Sequence, residues 1–308
     1  MGRRQRWKLA GAALALGGIA AVAALALSHP KLEWRAAIVR QKIRGELPET
    51  PWKEVVVRLA PDGWRYRIRS LTAQGPPPWI RKLDFPIEAS LPFTAHEIFR
   101  GSTALLRRLD CHFSVLESRT RPHPPHRHEE EELIIPISGA VDIVRVGDDG
   151  AERIERIARG QFVYHQANAL HTIEAADVSP STYLVFKWRG HRVPNLGEPL
   201  RSTTFDFRPA FARQGEPSGA LDTELLFESP TLYLAKLHSH ASVMNPAEGY
   251  EPHPDPYDVA IFTLEGQVET LGNQVGPNQV IFYPAGEPHG MRNVGSEPAR
   301  YLVFEFHL

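Results

Sequence analysis

The chain has little cysteine and almost no net charge. Its 308 residues include one cysteine, Cys111, so no disulfide can form within the chain. This residue lies in a strand-like run at 109–116, where we expect a buried, unreactive thiol. Lysine and arginine number 35 and aspartate and glutamate 36, giving a formal net charge of −1. This balance gives no indication of a nucleic-acid partner.

One long stretch lacks charge altogether. Residues 1–8 carry four basic and no acidic side chains, and residues 9–27 are uncharged. A run of that length can cross a bilayer as a helix, and the basic residues before it favour a cytoplasmic N-terminus. We therefore expect residues 1–30 to anchor the protein in a membrane with the rest outside the cytoplasm, in the periplasm of a Gram-negative cell. The alternative is a signal segment cleaved near Ala26, which would give a secreted protein.

Residues 31–95 form a second region. Apolar residues at helical intervals predict a helical stalk at 31–47. Two β-rich runs on either side of the turn at 61–63 predict a hairpin, whose arginine face is either solvated or meets an anion. Three prolines after Gly75 indicate a stiff linker that leads to Trp79.

From about residue 96 the chain repeats itself. The run 111–116 matches 239–244 at a separation of 128 residues, and Tyr183–Phe186 matches Tyr301–Phe304 at a separation of 118. Both copies consist of short strand-like runs separated by glycine and proline. They predict two similar β-barrel domains, at 96–195 and 196–308.

The first copy contains a concentrated set of metal-ligand side chains. His126, His128 and Glu132 precede Gly139, and because side chains at even spacing share one face of an extended strand, all three should point the same way. Two imidazoles and a carboxylate suit a divalent cation such as Mn, Fe, Ni, Cu or Zn. His171 is the candidate for a fourth ligand.

These stretches resemble the two signature motifs of the cupin superfamily. The first motif, HxHxxxE followed by six residues and Gly, fits residues 126–139, and the second ends at His171, with Gln166 and Asn168 at the usual Pro and Gly positions. The resemblance covers roughly residues 96–308. It implies an all-β protein with two cupin-type jelly-roll barrels in tandem, here preceded by the transmembrane helix, the helical stalk and the hairpin.

The second copy departs from the motif. Its ligand-type residues are His253, Asp255 and His289. Val259 stands at the glutamate position, and by strand parity the adjacent Asp258 points to the other face. Asp258 or Tyr257 could assist the three. This copy is a second, weaker metal site, a substrate pocket, or a barrel that has kept only a structural role.

Other polar residues near the motifs receive simpler interpretations. We expect solvated charges at Glu129–Glu131 and hydrogen-bonded strand histidines at His112 and His240. His123 and His165 are off the ligand spacing. The nearest candidates for a titratable pocket residue beyond the ligands are Tyr164 and Glu174.

The resemblance implies metal-dependent chemistry or binding of small molecules. We expect an extracytoplasmic metal-dependent oxidoreductase of the dioxygenase type, acting on a small, anionic or chelating organic substrate. The principal metal would be held by His126, His128, Glu132 and His171, and no separate general base is assigned. One alternative is a non-catalytic, membrane-tethered sensor or binding module, and another is a metal-dependent lyase or aminohydrolase of bicupin type. A homo-oligomer is compatible with all three.

Overall fold

A computed structural model describes residues 79–81 and 92–308, except 177–179, 195–196 and 215–220. The predicted anchor, stalk and hairpin therefore lie outside the described residues. Within the described part of the chain, no helix has the length and apolar character needed to cross a membrane.

The described residues form two antiparallel β-barrels. Barrel one contains a six-stranded sheet, in the spatial order Thr203–Asp206, Gln161–His165, Glu131–Ser138, Ser181–Arg189, Arg108–Leu116 and Phe93–Gly101, and a three-stranded sheet of Glu152–Ala158, Ala140–Val146 and His171–Ala175. Barrel two contains a six-stranded sheet, in the order Trp79–Arg81, Val280–Tyr283, Asp258–Glu265, Ala299–His307, Lys236–Met244 and Leu221–Ser229, and a four-stranded sheet of Gly249–Pro254, Pro288–Asn293, Val268–Thr270 and Asn273–Val275. This all-β architecture agrees with the predicted fold class and is consistent with jelly-roll domains.

The strands and the single described helix have the following bounds. Those of the first half are β1 (Trp79–Arg81), β2 (Phe93–Gly101), β3 (Arg108–Leu116), β4 (Glu131–Ser138), β5 (Ala140–Val146), β6 (Glu152–Ala158), β7 (Gln161–His165), β8 (His171–Ala175), β9 (Ser181–Arg189) and β10 (Thr203–Asp206). Those of the second half are α1 (Arg208–Gln214), β11 (Leu221–Ser229), β12 (Lys236–Met244), β13 (Gly249–Pro254), β14 (Asp258–Glu265), β15 (Val268–Thr270), β16 (Asn273–Val275), β17 (Val280–Tyr283), β18 (Pro288–Asn293) and β19 (Ala299–His307).

Two strands pair across the domain boundaries expected from the sequence. β10 lies in the segment assigned to the second barrel, yet it pairs with β7 of barrel one, with Phe205 opposite Phe162. β1 lies in the segment assigned to the linker region, yet it pairs with β17 of barrel two, with Ile80 opposite Ile281. Each barrel therefore completes its large sheet with a strand from a flanking segment.

The two large sheets share one hydrophobic core. Leu133 and Ile135 of β4 belong to this core together with Phe304 and Phe306 of β19. Ile134, between the first two, belongs instead to the interior cluster of barrel one. Successive side chains of β4 therefore point alternately into the interior of barrel one and toward barrel two. Cys111 is fully buried in the shared core, and burial raises the pKa of its thiol, as expected for an unreactive residue.

A reciprocal pair of buried carboxylates joins the barrels. Glu131 of barrel one accepts hydrogen bonds from the Thr231 hydroxyl at 2.7 Å and from the Leu232 N–H at 2.8 Å, both in barrel two. Asp258 of barrel two accepts a hydrogen bond from the Thr103 hydroxyl of barrel one at 2.5 Å. Thr103 and Thr231 are 128 residues apart, so the contact obeys the internal repeat.

The burial of Glu131 corrects the expectation that residues 129–131 are solvated charges. Its side chain is 0% exposed and also accepts a hydrogen bond from Trp188 Nε1 at 2.7 Å. Burial raises the pKa of this carboxyl group. The strand begins at Glu131, so this residue takes the shared-core face while Glu132 takes the interior face. Asp258 points away from the interior of barrel two, as parity predicts.

Replacing Glu131 by Ala should destabilise the protein by about 3 kcal/mol or more, because buried donors lose their acceptor. Glu129→Ala is the matched control, since that side chain is 65% exposed and pairs with Arg189 at the surface. Glu129→Ala should lower the free energy of unfolding by less than about 1 kcal/mol. Urea unfolding of the two variants measures both values, and equal losses would contradict the cross-barrel contact.

Candidate metal centre

Barrel one brings His128, Glu132 and His171 together. One ligand atom from each lies within 4.8 Å of the others. The Oε2 atom of Glu132 is 3.0 Å from His171 Nε2 and 3.5 Å from His128 Nε2. Glu132 and His171 are almost fully buried, and they reach the centre from β4 and β8.

The expectation that one strand carries His126, His128 and Glu132 is wrong. β4 begins at Glu131, and the two histidines lie in the segment before it. His126 is instead fixed by two backbone hydrogen bonds with His171, of 3.0 and 3.2 Å.

Backbone carbonyls orient two of these imidazole rings. His128 Nδ1 donates to the Glu130 carbonyl oxygen at 2.9 Å, and His171 Nδ1 donates to the Ala169 carbonyl oxygen at 3.0 Å. These bonds direct the Nε2 atom of each ring toward Glu132 Oε2. Metal-binding histidines are held in the same manner. The donor set therefore fits a divalent transition metal.

His126 lies beside this group but outside it. Its ring centroid is 5.4 Å from that of His128 and 5.5 Å from that of His171. Its Nδ1 is buried and has no hydrogen-bond partner among the described residues. Burial, then the neighbouring charges of His123 and His171, lower the pKa of His126 to about 4, which favours the neutral, ligating form. Its role as a ligand remains a prediction.

Lys187 is a neighbour of the centre that the sequence analysis did not identify. Its Nζ atom lies 3.0 Å from Oε1 of Glu132, the carboxylate oxygen turned away from the histidines. Burial works against the charged form of Glu132, but Lys187 and both histidines hold the pKa of Glu132 well below its usual range. Burial likewise opposes the charge on Lys187, yet its attraction to Glu132 raises its pKa. Both groups are therefore ionised near neutral pH.

Asn168, at the usual glycine position of the second motif, keeps the backbone conformation that glycine has there. Asn168 has a φ of 62°, and Gly286, at the same repeat position in barrel two, has a φ of 77°. Asparagine adopts this left-handed conformation more readily than most residues. Its N–H donates to the His128 carbonyl oxygen at 2.8 Å, which ties this turn to the first motif.

His165 supports the centre from beneath. Its ring stacks on His171 with centroids 4.0 Å apart, and burial holds its pKa well below the usual value. Tyr283 stacks on His289 in the same way in barrel two, at 3.9 Å. The repeat offset of 118 residues relates both pairs and could have indicated this role from sequence alone.

The two suggested titratable pocket residues lie elsewhere. Tyr164 is fully buried in the core between the barrels. Glu174 pairs with Arg121 at the surface, at 3.0 Å. Neither side chain lies at the centre, whereas Lys187 does.

Barrel two also groups its three ligand-type residues. His289 Nε2 lies 3.3 Å from Asp255 Oδ2, and His253 Nε2 lies 3.8 Å from Asp255 Oδ1. The side chain of His253 is 49% exposed, whereas His128 is 14% exposed. The buried Val259 occupies the glutamate position and supplies no charge. This group is therefore less enclosed than the group in barrel one, and three of its motif positions, rather than four, carry a ligand-type residue.

A basic cleft borders the centre of barrel one. Its lining includes Arg107, Arg189, Arg192 and His191, with Glu129 as the single acidic residue. Asn168, which is hydrogen-bonded to the His128 backbone, lies in the same lining. An anion would be attracted to this side of the centre.

Comparison with known proteins supports this architecture. A family model described as a cupin domain matches residues 241–305, within barrel two. No curated protein sequence matches the chain. A solved structure from Pseudomonas aeruginosa, described as a glyoxylate-induced protein, is 11% identical with a TM-score of 0.54, covering 70% of this chain and 80% of that one.

Two further solved structures are similar. A cupin 2 conserved barrel domain protein from Leptotrichia buccalis is 14% identical with a TM-score of 0.50, covering 71% of this chain and 91% of its own. A deletion mutant of Bacillus subtilis oxalate decarboxylase is 14% identical with a TM-score of 0.46, covering 65% and 68%, and this likeness is too weak to bear on activity. The family match identifies a cupin domain in barrel two, and the likeness to the Leptotrichia protein supports the cupin fold.

Replacing His128 and His171 together by Ala should remove one bound metal ion per chain, because only Glu132 of the three ligands would remain. The same change at His253 and His289 is the matched control and should remove little. Elemental analysis of the purified full chain, after dialysis against excess metal, measures both. Loss of metal only when His253 and His289 are replaced would contradict the assignment of the metal site to barrel one.

Proposed function

We propose that barrel one is a metal-dependent site for a small, chelating organic anion, and that its reaction is an oxidation of the dioxygenase type. The observation that carries this proposal is the convergence of two oriented Nε2 atoms on one oxygen of Glu132. Such a set leaves part of the coordination sphere of a bound metal free for a ligand.

The division of the Glu132 carboxylate supports an anionic substrate. Oε2 faces the histidines and Oε1 faces Lys187 at 3.0 Å, so Lys187 keeps its charge next to the proposed metal position. Its side chain is 26% exposed and can therefore reach a molecule in the barrel mouth. The arginines of the adjoining cleft add positive charge on the approach.

Each residue then has a separate task. A divalent metal, when bound, would polarise a coordinated substrate oxygen and permit chemistry with O₂. Glu132 supplies the anionic ligand, and His165 and the backbone carbonyls keep the ligand rings in place. Lys187 would hold a second anionic group of the substrate through a charge-assisted hydrogen bond.

Glu132→Gln should abolish O₂ consumption, because it removes the only anionic ligand while keeping the size of the side chain. Glu174→Gln is the matched control, since that carboxylate lies on the same barrel but pairs with Arg121 outside the centre. Oxygen-electrode assays of Mn-, Fe-, Ni- and Cu-loaded protein with catechols, flavonols and hydroxy acids provide the measurement.

The alternatives predict different results in that assay. A binding module or sensor would show ligand-induced increases in melting temperature without O₂ consumption by any metal form. A lyase or aminohydrolase would convert substrate with no oxygen used. Either result would overturn the proposed oxidative reaction. The metal site would be unaffected, because elemental analysis of the His128 and His171 variant tests it separately.

We further propose that residues 9–27 anchor the protein, with both barrels outside the cytoplasm. The support is the basic start followed by the uncharged run. Full-length protein should sediment with membranes and be released by detergent but not by salt. Recovery of free protein cleaved near Ala26 would instead indicate a signal segment.

A further inference from the structure

Barrel two contains a second group of ligand-type side chains on strands that carry none of the motif residues. The group consists of His238 and His240 on β12 and Glu305 on β19, with ligand atoms within 4.8 Å of one another. His238 and Glu305 are directly opposite in the β12–β19 pairing. From the sequence, His240 is expected to be a structural histidine, and His238 and Glu305 have no assigned role.

These side chains face the interior side of the sheet. Leu237 and Ala241, at odd positions of β12, belong to the core shared between the barrels. His238 and His240 alternate with them and so point the opposite way. Both histidines and Glu305 are half-buried, with 16–21% of each side chain exposed, so a dissolved ion can reach them.

Neighbouring polar side chains orient both histidine rings. His238 Nδ1 lies 2.9 Å from Glu228 Oε2, and His240 Nδ1 lies 2.9 Å from Ser242 Oγ. These bonds leave both Nε2 atoms for another partner, and that of His240 is 3.8 Å from Glu305 Oε1. A hydrogen-bond partner on Nδ1 fixes the ring of a metal-binding histidine in the same way.

Glu305 is itself held in place. His307 Nε2 lies 2.8 Å from Glu305 Oε2, which leaves Oε1 directed toward His240. Burial works against its charge, but His240 and His307 lower the pKa of Glu305 to about 2.

The repeat shows that barrel one lacks this group. The positions equivalent to His238, Glu305 and His307 are Asp110, Lys187 and Arg189, at the repeat offsets of 128 and 118 residues. In barrel one the opposed pair is Glu132 and Lys187, whereas in barrel two it is Val259 and Glu305. In this opposed pair the carboxylate therefore lies on β4 in barrel one and on β19 in barrel two.

We propose that His238, His240 and Glu305 bind a divalent transition-metal ion, and that His307 positions Glu305. Two imidazoles and one carboxylate form a donor set suited to Fe, Co or Zn. This site is separate from the centre proposed in barrel one, and it does not use His253, Asp255 or His289. Barrel two would then hold its metal on a different pair of strands from barrel one.

Cobalt binding to the full chain tests the proposal, with His128 and His171 replaced by Ala to remove the first centre. We expect one Co²⁺ per chain, followed by its visible absorption, and loss of that ion on adding His240→Ala or Glu305→Gln. Adding His253→Ala should leave it in place. Absence of Co²⁺ binding in the starting variant, or loss with His253→Ala alone, would overturn the proposal.

A milder variant guards against misfolding of the barrel. Glu228→Ala removes the carboxylate that pairs with His238 Nδ1 and with Lys236, changes none of the proposed ligands, and should weaken Co²⁺ binding by about 10-fold. Glu224→Ala is the matched control on the same strand, because that carboxylate pairs with Arg213 outside the group. Equal Co²⁺ affinities for these two variants, with unchanged melting temperatures, would also overturn the proposal.

Discussion

The contact between the two large sheets is the constraint on which the remaining structure depends. Aromatic and aliphatic side chains from both sheets form one core, and their burial is the main source of stability. Within this apolar contact, Glu131 and Asp258 accept hydrogen bonds from the opposite barrel. A shift of one sheet relative to the other would leave these buried carboxylates without their donors. The hydrogen bonds therefore favour one relative position of the two sheets.

This contact determines which side chains remain for chemistry. A strand with one face against the other barrel has only its alternate residues for the barrel interior. On β4 that rule buries Glu131 in the contact and leaves Glu132 for the centre, although the two are adjacent in sequence. On β12 it leaves His238 and His240, and on β19 it leaves Glu305. The repeat thus supplies equivalent interior positions, which the two barrels fill with different donors.

The fold and most of the metal centre could be predicted from the sequence, because the internal repeat and the spacing of the ligand-type residues are both visible in it. The two-barrel fold followed from matched strand runs, and the grouping of His128, Glu132 and His171 followed from the motif. The strand start at Glu131 could not be predicted, since the segment before it is held by backbone bonds between His126 and the distant His171. The burial of Glu131 and the pairing of Lys187 with Glu132 depend on contacts between residues far apart in the chain, which no local pattern encodes.

The two proposed metal ions lie at different positions in two barrels of the same fold. Anomalous X-ray scattering from Co²⁺-loaded crystals of the full-length protein tests this most directly. We predict one peak among His128, Glu132 and His171 and a second among His238, His240 and Glu305. A single peak among His253, Asp255 and His289, or no peak in barrel one, would contradict it.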